Sequence, residues 1–150
     1  MKVLSRKIGW TKDFDSAHFL VLEYDSKCRR LHGHTYKVDV EVWGELDEYG
    51  MIFDYNKLSE IIKGLDHKIL VSVVWVEEET KNKVIVDMNN KRLELPRDDV
   101  VVLNKPNVTA ENLAEYLAEK IMDEAGENVR IVKVRVWEDP RSYAEILVER

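Results

Sequence analysis

At 150 residues, 45% of them apolar, the chain is long enough to bury one core and too short for two well-packed ones, so residues 1–150 are expected to form a single domain. A net charge of −6 excludes a general binder of nucleic-acid backbones. The absence of a leader-like apolar run after Met1, or of anything near the roughly 18 apolar residues of a membrane span, predicts a soluble, cytoplasmic protein with no membrane partner.

The segment from Val3 to Phe14 places Leu4, Ile8, Trp10 and Phe14 on one parity and reads as a half-buried strand. From His32 to Glu45 the alternation is strict, with Tyr36, Val38, Val40 and Val42 on one side and Lys37, Asp39 and Glu41 on the other. Asp54 is placed to cap a helix that carries Leu58, Ile61, Ile62 and Leu65 and ends near Gly64. Short strands follow over Val71–Glu77, Lys83–Met88, Lys91–Leu95 and Val100–Leu103, a small β insertion over about 71–105. A second helix over Ala110–Ala125, capped by Thr109 and stopped by Gly126, buries Leu113, Leu117 and Ile121. Asn128–Glu138 and Tyr143–Glu149 read as a closing hairpin. The predicted class is α+β: a four-stranded antiparallel sheet with two helices on one face, plus the insertion.

The one cysteine, Cys28, excludes an internal disulfide and a thiolate-rich metal site. Four histidines remain as nitrogen ligands, and three of them, His18, His32 and His34, fall within seventeen positions. In His32-Gly33-His34 the two imidazoles share the face of Tyr36 and Val38, the buried one, where a bare imidazole pair needs partners. If the first two strands pair, His18 joins them. Three histidines with no thiolate resemble an open catalytic zinc site more than a structural one, so Zn2+ is the expected cofactor.

Cys28 stands among Lys27, Arg29 and Arg30, surroundings that favour a thiolate able to act as a base or nucleophile. Asp66-His67 follows the first helix and has the form of an acid/base dyad, although adjacent pairs of this kind also arise by chance. Glu138 continues the apolar face of its strand, where a carboxylate needs a donor pair such as the N–H edge of a guanine-like ring. Glu111, two residues after Thr109, suits a helix N-terminus. The absence of Gln and the 35% charged content match heat-adapted proteins.

Six ordered runs, Phe14-Asp15-Ser16-Ala17-His18, Cys28 to His34, Gly50 to Asp54, Leu65-Asp66-His67, Pro106 to Asn112 and Val136-Trp137-Glu138, together resemble the 6-pyruvoyltetrahydropterin synthase / 6-carboxytetrahydropterin synthase family. The resemblance covers nearly the whole chain outside the insertion. It implies a tunnelling fold (T-fold) in which sheets of several subunits close into a barrel, commonly a homohexamer of two trimers with active sites between subunits. By motif, it implies His18, His32 and His34 as zinc ligands, Cys28 as general base and Asp66 with His67 as the partner dyad. Glu138 would be the pterin anchor, and Thr109 and Glu111 pocket residues. The implied substrate is 7,8-dihydroneopterin triphosphate, for whose phosphates Lys27, Arg29, Arg30, Lys105 and Arg141 are candidates. The Cys28-x-x-x-His32 interval resembles the carboxytetrahydropterin branch of 7-deazaguanine (queuosine or archaeosine) biosynthesis. The pyruvoyl-forming synthases are the alternative within the family, and a non-catalytic pterin or purine binder is the alternative outside it.

Overall fold

A computed structural model describes all 150 residues. Lys7–His18 forms β1 and His32–Gly44 forms β2, and the two pair antiparallel along their whole length, from Lys7 opposite Trp43 to His18 opposite His32. After the helix Tyr55–Lys63 (α1), capped by Asp54 through a bond from Asn56 N–H at 2.8 Å, come β3 (Lys68–Ser72), β4 (Val76–Glu79), β5 (Lys83–Met88), β6 (Lys91–Pro96) and β7 (Val100–Leu103). The helix Ala110–Glu124 (α2) then leads to β8 (Val129–Asp139) and β9 (Ser142–Glu149). Neither helix is long and apolar enough to cross a membrane.

The antiparallel run β1-β2-β8-β9 is the expected one, but the sheet has six strands rather than four, in the order β7-β3-β1-β2-β8-β9. Strands β3 and β7 join its β1 edge in parallel. Their sequences explain why. Ile69-Leu70-Val71 and Val100-Val101-Val102-Leu103 are continuous apolar runs, as strands covered on both faces require. Leu70 and Leu103 enter the main core, while Val71 and Val100 enter a smaller core with Phe19, Val84, Val86 and Leu95. Only β4-β5-β6 forms a separate sheet. The strand expected over Val71–Glu77 is broken at Ser72, whose side chain accepts from Val74 N–H and starts a 3-10 turn over Val73–Trp75.

Both helices pack on the face of Phe14, Tyr36, Val38, Val40, Val132, Val134 and Val136, burying Leu58, Ile62, Leu113, Leu117 and Ile121. Helix α2 ends at Glu124 because Ala125 is already extended, so Gly126 is not its stop. The strict alternation of β2 therefore sends every second residue under the helices, and His32 and His34 lie at the open end of that buried row.

Candidate metal centre and active site

The pairing of β1 with β2 sets His18 directly opposite His32, with His34 two residues further along the same face. His18 is wholly buried, and its Nδ1–H donates to the Val108 carbonyl at 2.7 Å. His32 Nδ1–H donates to the Arg30 carbonyl at 2.6 Å. Each bond leaves an Nε2 lone pair pointing inward, and these two atoms lie 3.1 Å apart. His34 Nε2 is buried with no hydrogen-bond partner. Burial lowers the His34 pKa, an effect that Glu138 opposes and His18 and His32 reinforce. The rings meet edge to face, with centroids 4.6, 4.9 and 5.1 Å apart.

Glu138 closes the group, its Oε1 lying 3.3 Å from His18 Nε2 and 3.2 Å from His34 Nε2. It occupies a register break between β8 and β9, where Trp137 still faces Tyr143 but Asp139 faces Ser142, and such a bulge re-aims the side chain it carries. The neighbouring His18 ring is the main reason its carboxyl is held below the usual range, an effect that burial opposes. Electron-rich atoms converging in this way are stabilised by a positive charge at their centre. The Nε2–Nε2 separation is close to the roughly 3.3 Å expected of two nitrogens about 2.0–2.1 Å from one tetrahedral zinc. The three histidines and Glu138 thus fit a divalent metal, their ligand atoms all lying within 4.8 Å of one another.

Asp66 and His67 form a second group. Asp66 Oδ1 accepts from Asp15 N–H at 2.9 Å and lies 3.0 Å from His67 Nδ1. The Asp15 N–H is the main cause of the depressed Asp66 carboxyl. His67 has φ +58°, in the left-handed region that non-glycine residues seldom occupy, and its N–H donates to the Asp15 carbonyl at 2.7 Å. This turn leaves its imidazole 78% exposed. A cleft of about 610 Å³ runs between His34, Gly33 and Thr35 on one wall and His67 and Lys68 on the other. His67 of the dyad and His34 of the histidine centre therefore line one cleft. A second cleft, about 590 Å³, joins His34 to Lys37, Trp137 and Glu138.

Cys28 lies half-buried in a 3-10 turn over Lys27–Arg29 and does not line the first cleft. Thr109 caps α2 by accepting from Asn112 N–H at 3.1 Å, and Glu111 is exposed in the first turn. Lys105 departs from expectation. It is 9% exposed and paired with Glu115 at 2.9 Å and Glu119 at 2.8 Å, so its charge is directed to α2. Sequence reasoning missed the Val108 and Arg30 carbonyls that orient two imidazoles, because a backbone group leaves no residue signature. It also missed Tyr36, whose buried hydroxyl has no partner although its parity with His34 was legible.

Known structures share this architecture. A catalytic-residue mutant of Plasmodium vivax 6-pyruvoyltetrahydropterin synthase aligns over 99% of this chain and 100% of its own with a TM-score of 0.77 at 21% identity. The Plasmodium falciparum enzyme aligns over 97% and 99% with a TM-score of 0.75. The fold is the α+β T-fold of those proteins. Sequence relatives are nearer. A Pyrococcus abyssi protein, provisionally named 6-carboxy-5,6,7,8-tetrahydropterin synthase, is 64% identical over 95% of this chain and 90% of its own. The Haemophilus influenzae 6-carboxy-5,6,7,8-tetrahydropterin synthase is 30% identical over 93% and 96%. The model for 6-pyruvoyl tetrahydropterin synthase matches residues 7–149, and the chain belongs to that family. It is accordingly a lyase of the tetrahydropterin-synthase type.

Proposed function

We propose that the protein is a zinc-dependent 6-carboxy-5,6,7,8-tetrahydropterin synthase. It converts 7,8-dihydroneopterin triphosphate and water into 6-carboxytetrahydropterin, acetaldehyde and triphosphate, for 7-deazaguanine biosynthesis. The observation that carries this reading is the convergence of the His18, His32 and His34 Nε2 atoms beside a cleft whose opposite wall presents His67. The carboxy branch, rather than the pyruvoyl one, is supported by relatives of that name at 64% and 30% identity.

In this reading His18, His32 and His34 hold the zinc, which supplies Lewis-acid polarisation of the substrate side-chain hydroxyls. Glu138, 30% exposed at the rim of the centre, accepts from the amino and ring N–H groups of the pterin. Cys28 takes a proton from the substrate side chain, and His67, held in orientation by Asp66, moves a second one. Thr109 and Glu111 line the pterin side from the start of α2. Exposed Lys27, Arg30 and Arg141 supply cations for the triphosphate locally, as an acidic protein must.

Incubating the purified protein with dihydroneopterin triphosphate and identifying the products tests the proposal. The expected result is 6-carboxytetrahydropterin with stoichiometric acetaldehyde and triphosphate. A pyruvoyl product without acetaldehyde would reassign the branch, and the absence of both products would overturn the enzymatic reading.

A further inference from the structure

The segment between β1 and β2 begins after one proposed metal ligand, His18, ends before another, His32, and carries Cys28 between them. Its first residue, Phe19, is buried among Val84, Val86 and Leu95 of the β4-β5-β6 insertion. The polar contacts are more specific. Asn89 and Asn90 make the two-residue turn between β5 and β6, closed by the Met88–Lys91 pair, and both have positive φ, +52° and +71°. From that tip the Asn89 Nδ2 group donates to the Leu20 carbonyl at 2.9 Å and to the Arg29 carbonyl at 3.0 Å. Its Oδ1 accepts from Leu22 N–H at 3.3 Å. Every polar atom of the side chain is thereby used, and the amide orientation follows from its partners.

These bonds close the neck of the Cys28 segment. Leu20 N–H donates to the Cys28 carbonyl at 2.8 Å, and Cys28 N–H donates to Ser26 Oγ at 3.1 Å. Asn89 ties Leu20, one half of that neck, to Arg29, the residue after Cys28, while Ser26 holds Cys28 from the side before it. Asn107 holds the far side through Val21, accepting its N–H at 3.2 Å and donating to its carbonyl at 3.0 Å. Asn107 lies in a run that carries the family resemblance, whereas Asn89 lies in the insertion that the resemblance leaves out.

The geometry points to Asn89 as a positioning residue for the Cys28 thiol, and to the β4-β5-β6 insertion as the support that fixes the Cys28 segment between the two histidine strands. The catalytic part of this inference rests on the reading of Cys28 as the base.

The test uses the zinc-loaded full chain and three variants. Asn89→Gly suits the turn and deletes the clamp. Asn89→Asp keeps an Asx residue in the turn and turns a carboxylate oxygen toward the two carbonyls. Asn90→Gly alters the same turn without touching the segment. Because Cys28 is the sole thiol, alkylation by iodoacetamide, followed by mass spectrometry, reports on it alone. In both Asn89 variants alkylation is expected to be at least about threefold faster, with kcat about tenfold lower and KM within about twofold, while Asn90→Gly matches the parent. Alkylation or kcat within about twofold of Asn90→Gly overturns the proposal, as does loss of the folded state in both Asn89 variants alone, which would make Asn89 a fold determinant. If the parent turns over no pterin, the functional reading fails, and the alkylation ratio alone decides the clamp.

Discussion

His34 shows how much a single side chain settles. Its Nε2 is buried without a hydrogen-bond partner, and replacing the ring leaves two inward-facing imidazoles and a carboxylate with one donor fewer. His34→Ala is expected to lower bound zinc from about one per chain to under about a tenth and to abolish turnover, measured by metal analysis and product assay. Cys28→Ser should keep the metal and the fold but cut kcat by about 10²- to 10⁴-fold, the usual weight of a proton-transfer group. Asp66 gives a pH signature. Its carboxyl is depressed in the folded state, first by the Asp15 N–H, so its stabilising effect is present above about pH 3.9 and is lost as pH falls through the lower folded value. Asp66→Asn should therefore lower the melting temperature at pH 7, with the difference shrinking as the pH falls below about 3.9 in calorimetric scans. At this scale much was legible. Parity alone put His32 and His34 on the buried face, and the pairing of β1 with β2 brought His18 opposite them. The contact of His18 with the Val108 carbonyl, ninety positions away, had no signal in residue type.

Among the elements, one joint closes β2 at the end far from the histidines and another starts α2 beside them. Gly44 ends β2 where the chain crosses Asn128 and Val129, and a Cβ there would press into the Asn128 carbonyl and stand 3.0 Å from Val129 Cα. Gly44→Ala is expected to cost about 1–3 kcal/mol by denaturant titration. Thr109 caps α2 one residue after the carbonyl that orients His18. Thr109→Ala should cost about 1 kcal/mol, or roughly 2–4 °C in a chain of this length, and should weaken zinc retention against a chelator. Both helices and the closing hairpin were readable because their apolar spacing agrees with their caps and turns. The six-stranded sheet was not. A short apolar run such as Val100-Val101-Val102-Leu103 announces burial on both faces but names no partner strand, and the parallel pairing depends on Ile69-Leu70-Val71, 31 positions earlier. The bulge that re-aims Glu138 was equally silent, since Glu138 reads as the last residue of an unbroken strand running from Asn128.

The whole molecule keeps one face of its large sheet free of helices, and that face is charged. Glu41 lies 2.6 Å from Lys7 and 2.8 Å from Lys133, Arg135 lies 2.8 Å from Glu145, and the Trp137 indole donates to Asp39 at 2.9 Å. The outer strands β7 and β9 leave backbone groups unpaired along both edges, where further strands can add. We propose that copies of the chain assemble through such edges into a hexamer. Six chains of 17.6 kDa predict about 106 kDa by light scattering. A fully active species of one chain's mass would contradict this.

The proposed role of His18, His32 and His34 is to form the metal centre of a pterin lyase. It is tested most directly by titrating zinc into chelator-stripped protein while following 6-carboxytetrahydropterin formation from dihydroneopterin triphosphate. The predicted result is a folded, inactive apoprotein whose turnover rises linearly and saturates at about one zinc per chain, with no recovery in His34→Ala. Full turnover in the stripped protein, or equal recovery in His34→Ala, would contradict it.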